Sequence, residues 1–433
     1  MVLFVVYNLL TTLALPFALL YHLYRSSSRG RRPALAERFG LQQLPDVDRA
    51  GGPLFWVHAV SVGETIAAKP LLAGLKERYP GCRIAFSTGT ETGRAVAETI
   101  PQVDFPLYFP FFDWWLAVDR LYARIRPTAV IVMETEIWPN FLRGAQRRGI
   151  PVLVANGRIS DRSVGRYLRL RWFFRRILPL VDRFCMQSPL DAERIIAIGA
   201  PASRVAVGNN LKYDIAVRRL SSAERQQGRS IWRLAATDMV LVAGSTHAGE
   251  EEQVIAAYQA VRRKVPHARL VLVPRHPERA GDVAALLSRG GLRPILSSTL
   301  ATAGAPLDGD EVLLVDQVGK LMTLYGLADL VFVGGSLVPH GGHNILEPAA
   351  CGVPVIHGPH MHNFREIADL FAAASAARVV ADGGELAAAV ADLLQDAAAS
   401  TRLGSAGAAV VAANGGATER HLAALKAVFG STF

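Results

Sequence analysis

Cysteine is scarce in this chain of 433 residues: only Cys82, Cys185 and Cys351, far apart and with no CxxC pair. That excludes a disulfide framework and a cysteine zinc site, and it suits a reducing compartment. Several familiar signatures are missing as well. No GxxxxGKS/T, HExxH, GxSxG or GxGxxG occurs. Their absence argues against a P-loop ATPase, a zinc protease, an elbow-type hydrolase and an ordinary dinucleotide oxidoreductase. Acidic residues fall short of basic ones, 37 against 47, for a formal net charge of +10. The imbalance points to an acidic partner: nucleic acid, anionic lipid or a polyanionic substrate. Aromatic and basic residues do not interleave in the way RNA readers require, so nucleic acid is not expected. What is present is 51% hydrophobic and 19% charged. That excludes wholesale disorder, and the length allows two domains with a core each.

The first 24 residues, MVLFVVYNLLTTLALPFALLYHLY, are mostly apolar and long enough for one bilayer crossing. Asn8, Pro16 and His22 weaken the run without abolishing it. Arg25, Arg29, Arg31 and Arg32 follow, and positive charge on that flank puts it in the cytoplasm. A cleaved signal peptide would need a basic segment before the run and a small-x-small site after it, and neither is present. Residues 1–24 are therefore expected to form an uncleaved single-span anchor, with the rest of the chain cytoplasmic. Arg162 to Arg176 (RSVGRYLRLRWFFRR) carries Trp172, Phe173 and Phe174 among its arginines. It suits an anionic membrane surface, or else a helix with one buried aromatic face and one solvated basic face.

Beyond the anchor and a Ser/Arg/Gly-rich connector, Ser26 to Arg32, strand-like and helix-like segments alternate. Strand-like runs fall at Leu54–His58, Arg83–Ser87, Ala129–Met133, Val152–Ala155, Phe184–Gln187 and Val205–Val207. After a polar interruption, Ser221 to Ser230, they resume at Met239–Ala243, Arg269–Val273, Val312–Val315 and Leu330–Val333. Alternation of this kind predicts two doubly wound parallel α/β domains, 33–218 and 230–433. Ala-rich Leu386 to Ala413 reads as plain helix. In open parallel sheets ligands bind at the carboxyl ends of strands, and the notable polar motifs all follow predicted strands.

In the first half, HAVSVGE ends in Glu64. A carboxylate there caps a helix start and meets its dipole, or it works as a general base on a hydroxyl. METEIWPN places Glu134 and Glu136 at a strand end, where only one can face a cleft if the strand continues. GNNLKYD places Lys212, which could meet charge developing on a leaving phosphate, or lie on the surface. In the second half, Ser245 and Thr246 could bind phosphate or cap a helix. VPRHPER sets Pro274, Arg275 and His276 directly after a strand, and Val318-Gly319-Lys320 is another close-approach loop. Val331 to His362 reads strand, glycine turn, polar loop, helix start and strand. Gly334 and Gly335 would let backbone approach a ligand. Asn344 opens a helix start, followed by Ile345, Leu346 and Glu347; its free N–H groups attract phosphate, and Glu347 could accept from a ribose. An ordinary βαβ unit with a Gly-rich loop has the same pattern. His340, His343, His357, His360 and His362 invite a metal reading, but no Asp, Glu or Cys ligand spacing accompanies them, so no metal is expected.

HAVSVGE, ETEIWPN, GNNLKYD, VPRHPER and VGGSLVPHGGHNILEPAACGVPVIHGPHMHNF occur in this order, and together with the anchor they cover nearly the whole chain. In that ordered set the sequence resembles the 3-deoxy-D-manno-octulosonic acid (Kdo) transferases of lipopolysaccharide synthesis. The resemblance implies a GT-B glycosyltransferase, two Rossmann-like domains facing a cleft, at the inner membrane. It implies transfer of Kdo from CMP-Kdo to lipid IVA with inversion and without metal or other cofactor, beside inner-membrane anionic lipids. Carried over by motif, it makes Glu64 the general base and makes Glu134 and Lys212 groups that stabilise the transition state. The CMP contacts become Pro274, Arg275, Val318, Gly319, Lys320, Asn344, Ile345, Leu346 and Glu347. Lys320 departs from the family pattern beside Gly319, which bears on side-chain rather than backbone contacts there. Two rivals share parts of the pattern: a nucleotide-sugar epimerase, which needs no membrane anchor, and a membrane-tethered polyanion binder, which needs no ordered strand-end loops.

Overall fold

A computed structural model describes residues 2–28, 33–42, 52–215, 220–300 and 304–429. Arg29, Arg31 and Arg32 of the expected positive flank lie outside these, as does 216–219 of the expected junction. The chain forms two compact units. One runs to Asp214 and resumes at Gly415; the other spans Ile215–Asn414.

The first unit contains β1 (Leu54–Ala59), β2 (Arg83–Thr88), β3 (Phe105–Tyr108), β4 (Ala129–Met133), β5 (Val152–Gly157), β6 (Arg183–Met186) and β7 (Val205–Val207). They form one parallel sheet in the order β3-β2-β1-β4-β5-β6-β7. β1 and β4 are buried at every residue, the consequence of helices covering both faces. The order reverses between β1 and β4, so the loops leaving those two strands flank the crevice where such sheets take ligands.

The second unit repeats the plan with β8 (Met239–Thr246), β9 (Ala268–Pro274), β10 (Arg293–Leu296), β11 (Glu311–Leu314), β12 (Leu330–Val333), β13 (Val355–His357) and β14 (Arg378–Val379). Its order is β10-β11-β9-β8-β12-β13-β14, with the reversal between β8 and β12. Both units therefore have the doubly wound architecture of GT-B proteins.

Three segments differ from the sequence expectation. Ser221 to Ser230 is no interruption: Ser222–Ile231 is a helix, started by a reciprocal capping box between Ser221 and Glu224. Leu386 to Ala413 is two helices, Gly383–Gln395 and Ala397–Asn414, divided at Asp396, whose carboxylate accepts the Ala399 N–H at 2.9 Å. The second domain was expected to reach Phe433, yet the last helix, Ala417–Phe429, packs in the first unit. Ala417, Leu422 and Leu425 join the core cluster of β1, β2 and β4. Asp214 caps that helix by accepting the Ala417 N–H at 3.2 Å and the Thr418 N–H. Fully buried His421 accepts the Asn156 N–H at 2.8 Å through Nε2 and meets the Ala417 carbonyl at 2.6 Å through Nδ1.

The N-terminal helix, Val2–Ser28, is long and apolar enough to cross a membrane. It also touches the first unit near both ends. The Arg143 guanidinium lies 4.2 Å from the Phe4 ring centre, and the Tyr7 hydroxyl donates to Asp113 at 3.2 Å. Near the other end His22 bonds the Pro33 carbonyl at 2.9 Å and meets Phe111 edge-on. Its other face leaves Leu9, Leu13 and Phe17 59–75% exposed. The basic stretch forms two short helices, Asp161–Arg169 and Arg171–Ile177. The first buries nothing and Trp172 is exposed, so the aromatic face is only partly covered.

Candidate active site

In the first unit β1 delivers Ser61 and Glu64, and β4 delivers Glu134, Glu136 and Trp138. Ser61 is extended and caps the helix Val62–Arg78, its hydroxyl oxygen accepting the Glu64 N–H at 3.4 Å. Both Glu64 carboxylate oxygens are engaged in return: Oε1 accepts the Ser61 hydroxyl at 2.8 Å and Oε2 the Val60 N–H at 2.7 Å. Glu64 is 7% exposed and locked in place. Capping is thus part of its role, and each oxygen keeps a further lone pair for a proton.

Glu134 takes a positive φ of 54° as the chain leaves β4, its N–H held by the Ala155 carbonyl at 2.8 Å. The turn brings Glu136 back toward the strand end, where its carboxylate accepts the Trp138 indole N–H at 3.0 Å. Burial, then the neighbouring charge of Glu64, pushes the Glu136 carboxyl up to about 7, with Glu134 adding to the rise. Three carboxyls therefore share one electrostatic neighbourhood at the reversal of the sheet. The sequence marked Glu136 only as the alternate of Glu134; the raised proton affinity comes from tertiary burial. Lys212 is half-buried in a turn after β7 that packs on the helix Val62–Arg78. Asn210 and Asn156 hold that turn through the N–H groups of Lys212 and Leu211, both at 3.0 Å.

In the second unit the segments expected to bind nucleotide leave β11, β9 and β12, the last separated from β9 by β8. Pro274 ends β9, level with Thr246 of β8, and the Arg275 N–H bonds the Thr246 carbonyl at 3.0 Å. Arg275 is exposed. Val318 is 85% exposed, and Gly319 has a φ of +82° with open space where a Cβ would sit, so its glycine serves backbone conformation. Lys320 directly precedes the helix Leu321–Leu327. Asn344 accepts the Leu346 N–H at 3.1 Å and donates to Glu347 at 3.2 Å. The helix itself begins one step later than expected, at Leu346, and is five residues long. Asn344 and Glu347 are thereby joined, while Ile345 and Leu346 are buried, leaving those two only backbone to offer.

The glycine turn has another use than close approach to a ligand. Glu250, fully buried, accepts the N–H groups of Gly335 at 2.7 Å, Ser336 at 3.1 Å and Leu337 at 2.9 Å. Its carboxylate fills the anion nest these amides make. Gly334 is required by packing, since a Cβ there would sit 2.6 Å from the Ser245 carbonyl oxygen. Thr246 is buried and donates to Glu251 at 3.1 Å, which leaves Ser245 as the more open hydroxyl of the pair.

The histidine group divides. His357 turns onto the Gly358 carbonyl. His343 meets His247 across the strand reversal, Nε2 to Nε2 at 2.9 Å, and His340 stacks on His247 at 4.2 Å. Burial, the neighbouring histidines and Arg275 hold both His247 and His343 at about 4, with Arg279 adding to the effect at His247. Imidazoles kept neutral beside guanidinium groups mark a place that suits an anion. His247 carried no signal beyond its position at a strand end.

Comparison with known proteins adds to this geometry. Residues 33–215 match the family described as 3-Deoxy-D-manno-octulosonic-acid transferase (kdotransferase). The chain is 37% identical over 404 residues to the 3-deoxy-D-manno-octulosonic acid transferase of Haemophilus influenzae, covering 91% of each protein. The protein of that name from Bordetella pertussis is 36% identical over 394 residues, 87% of this chain and 89% of that one. Among solved structures, UDP-GlcNAc 2-epimerase from Neisseria meningitidis bound to UDP-GlcNAc aligns with a TM-score of 0.56. The match covers 86% of this chain and 99% of that one at 13% identity, a likeness of fold alone.

Proposed function

The chain belongs to the 3-deoxy-D-manno-octulosonic acid transferases, and on that premise we propose that it moves Kdo from CMP-Kdo to lipid IVA by one inverting displacement. As a glycosyltransferase it must place an acceptor oxygen on the anomeric carbon while the nucleotide departs. The observation that carries the assignment of parts is the cluster of Glu64, Glu134 and Glu136 at the reversal of the first sheet.

Glu64 takes the proton of the acceptor hydroxyl. Its two hydrogen bonds aim the carboxylate and leave a lone pair for that proton. The acceptor oxygen bonds to the anomeric carbon as the bond from that carbon to the phosphate oxygen breaks. The electron pair leaves with CMP, whose charge meets Arg275, and Lys212 is assigned to stabilise charge in the transition state. Glu134 stabilises positive charge developing on the sugar. Pro274, Val318 to Lys320 and Asn344 to Glu347 hold the nucleotide, with Asn344 fixing Glu347 for the ribose. The cluster of His247, His340 and His343 under the influence of Arg275 supports an anionic donor.

The N-terminal helix keeps the enzyme at the inner membrane, with both units on the cytoplasmic side. Its contacts through Phe4, Tyr7 and His22 favour a helix embedded alongside the first unit over the free-standing crossing that its composition suggests. The exposed arginines of the two short basic helices suit anionic lipid headgroups. CMP release from CMP-Kdo, measured with and without lipid IVA, tests the whole reading. Release that ignores the acceptor would reject transfer, and the epimerase rival predicts no stimulation by lipid.

A further inference from the structure

We propose that a cavity between the inner end of the N-terminal helix and the strand ends of the first unit binds the phosphorylated headgroup of the membrane-borne acceptor, with Arg38 as the group that meets its phosphate. The proposal rests on the transfer reading above and says where that acceptor's charge is held.

The cavity measures about 480 Å³. The end of the helix Val2–Ser28 forms one wall, and the loops after β1, β2 and β3 form the other. Arg38 lies in it at 7% exposure. Its guanidinium stacks 4.3 Å over the Tyr108 ring, and one nitrogen donates to the Gly89 carbonyl at 3.2 Å. Its Nε–H has no partner. A buried guanidinium with an unfilled donor is costly. Glu37, the nearby carboxylate on its own helix, is held by Arg94 at 2.8 Å. Glu91 also lines the cavity, yet the Nε donor remains unfilled beside it. Arg25 stands at the exposed rim as a second positive charge.

Phe109, Phe112 and Trp138 add aromatic surface to the same lining. Phe112 is half-exposed and adopts a positive φ of 54°, a conformation bulky residues avoid. The exposed apolar face of the N-terminal helix continues outward from this wall. A ligand that carries both anionic and apolar groups matches this lining, whereas free phosphate would leave the aromatic surface bare. The cavity also reaches the chemistry. Val60 lines it and donates its N–H to Glu64; Trp138 lines it and donates to Glu136.

The test is acceptor-dependent CMP release by the full-length protein in mixed micelles, with phosphorylated acceptor and with the same lipid stripped of phosphate. The unaltered enzyme should prefer the phosphorylated lipid. Arg38→Gln should cut kcat/KM for it roughly tenfold or more and barely alter the stripped lipid, the loss expected for a charge-assisted bond. The KM for CMP-Kdo should stay put. Because Arg38 also packs on Tyr108, rim variant Arg25→Gln is the companion and should lower the same preference with an unchanged unfolding temperature. Undiminished preference in both variants overturns the proposal. Inorganic phosphate that competes with the lipid would assign the subsite to free phosphate and overturn the lipid assignment. Absence of any acceptor-dependent release by the unaltered enzyme would instead overturn the transfer reading beneath it.

Discussion

The indole N–H of Trp138 donates to the carboxylate of Glu136 at 3.0 Å, within a turn that also brings Glu136 under the influence of Glu64. With its carboxyl raised to about 7 from an ordinary 4.5, Glu136 holds its proton more tightly folded than unfolded. Folded protein thus binds more protons between those values, and this group's contribution to stability falls as pH rises through that window. Glu136→Gln should flatten the dependence of unfolding temperature on pH over that range. It should also shift the acidic limb of the kcat/KM profile. Superimposable profiles for variant and parent would remove Glu136 from the carboxyl cluster.

Glu64→Ala should abolish transfer while leaving CMP-Kdo binding largely intact. The lost cap costs about 1 kcal/mol of stability, a few degrees at most. Calorimetry separates the effects, since a base contributes to turnover far beyond what that small loss explains. Near-normal turnover would leave Glu64 as a cap alone.

Asn344→Ala removes the partner that orients Glu347 and should weaken CMP binding roughly tenfold, about one hydrogen bond to a charged group. Titration calorimetry with CMP measures this directly. Unchanged affinity would reject the nucleotide role of the pair.

Glu250→Ala empties the nest under Gly335, Ser336 and Leu337. Three buried N–H groups lose their acceptor, so about 2–4 kcal/mol of stability should go, with the loop following β12 loosened. Hydrogen exchange at those three amides is the sensitive readout. Protection equal to the parent's would contradict the bonds described.

The N-terminal helix gives a topological prediction. With its contacts to Asp113, Phe111 and Arg143 kept, a label at Val2 stays on the side of the catalytic units. A free-standing crossing would put it on the opposite side. Thiol labelling of Val2→Cys in sealed vesicles of known orientation distinguishes the two, and labelling only from the far side would restore the simple span.

Much of this was legible in the chain. β4 coincides with the apolar run AVIVM, and the loops carrying Glu64, Glu134, Arg275 and Asn344 all leave strands as the carboxyl-end rule requires. Local pattern suffices there because fully buried parallel strands are continuous in hydrophobicity. β3, β10 and β14 leave no clear strand signal in the sequence, being two to four residues long and partly or wholly exposed. Glu250 gave no signal, because an acidic helix start reads the same whether it faces water or a loop brought from far along the chain. The expectation that the helix Ala417–Phe429 covers the second sheet fails for a similar reason. Its partners Asp214 and Asn156 are over two hundred residues earlier, and nothing in an Ala-rich amphipathic pattern names the sheet it will cover.

That last helix bears on the order of events during synthesis. Domains usually form as they leave the ribosome, the earlier-encoded one first. Here the core of the first unit lacks Ala417, Leu422 and Leu425 until the whole second unit has been synthesised. The second unit, encoded between Ile215 and Asn414, is complete before then. The unit that begins first is therefore the one that closes last. A chain truncated after Asn414 would carry the second unit complete and the first with an open core.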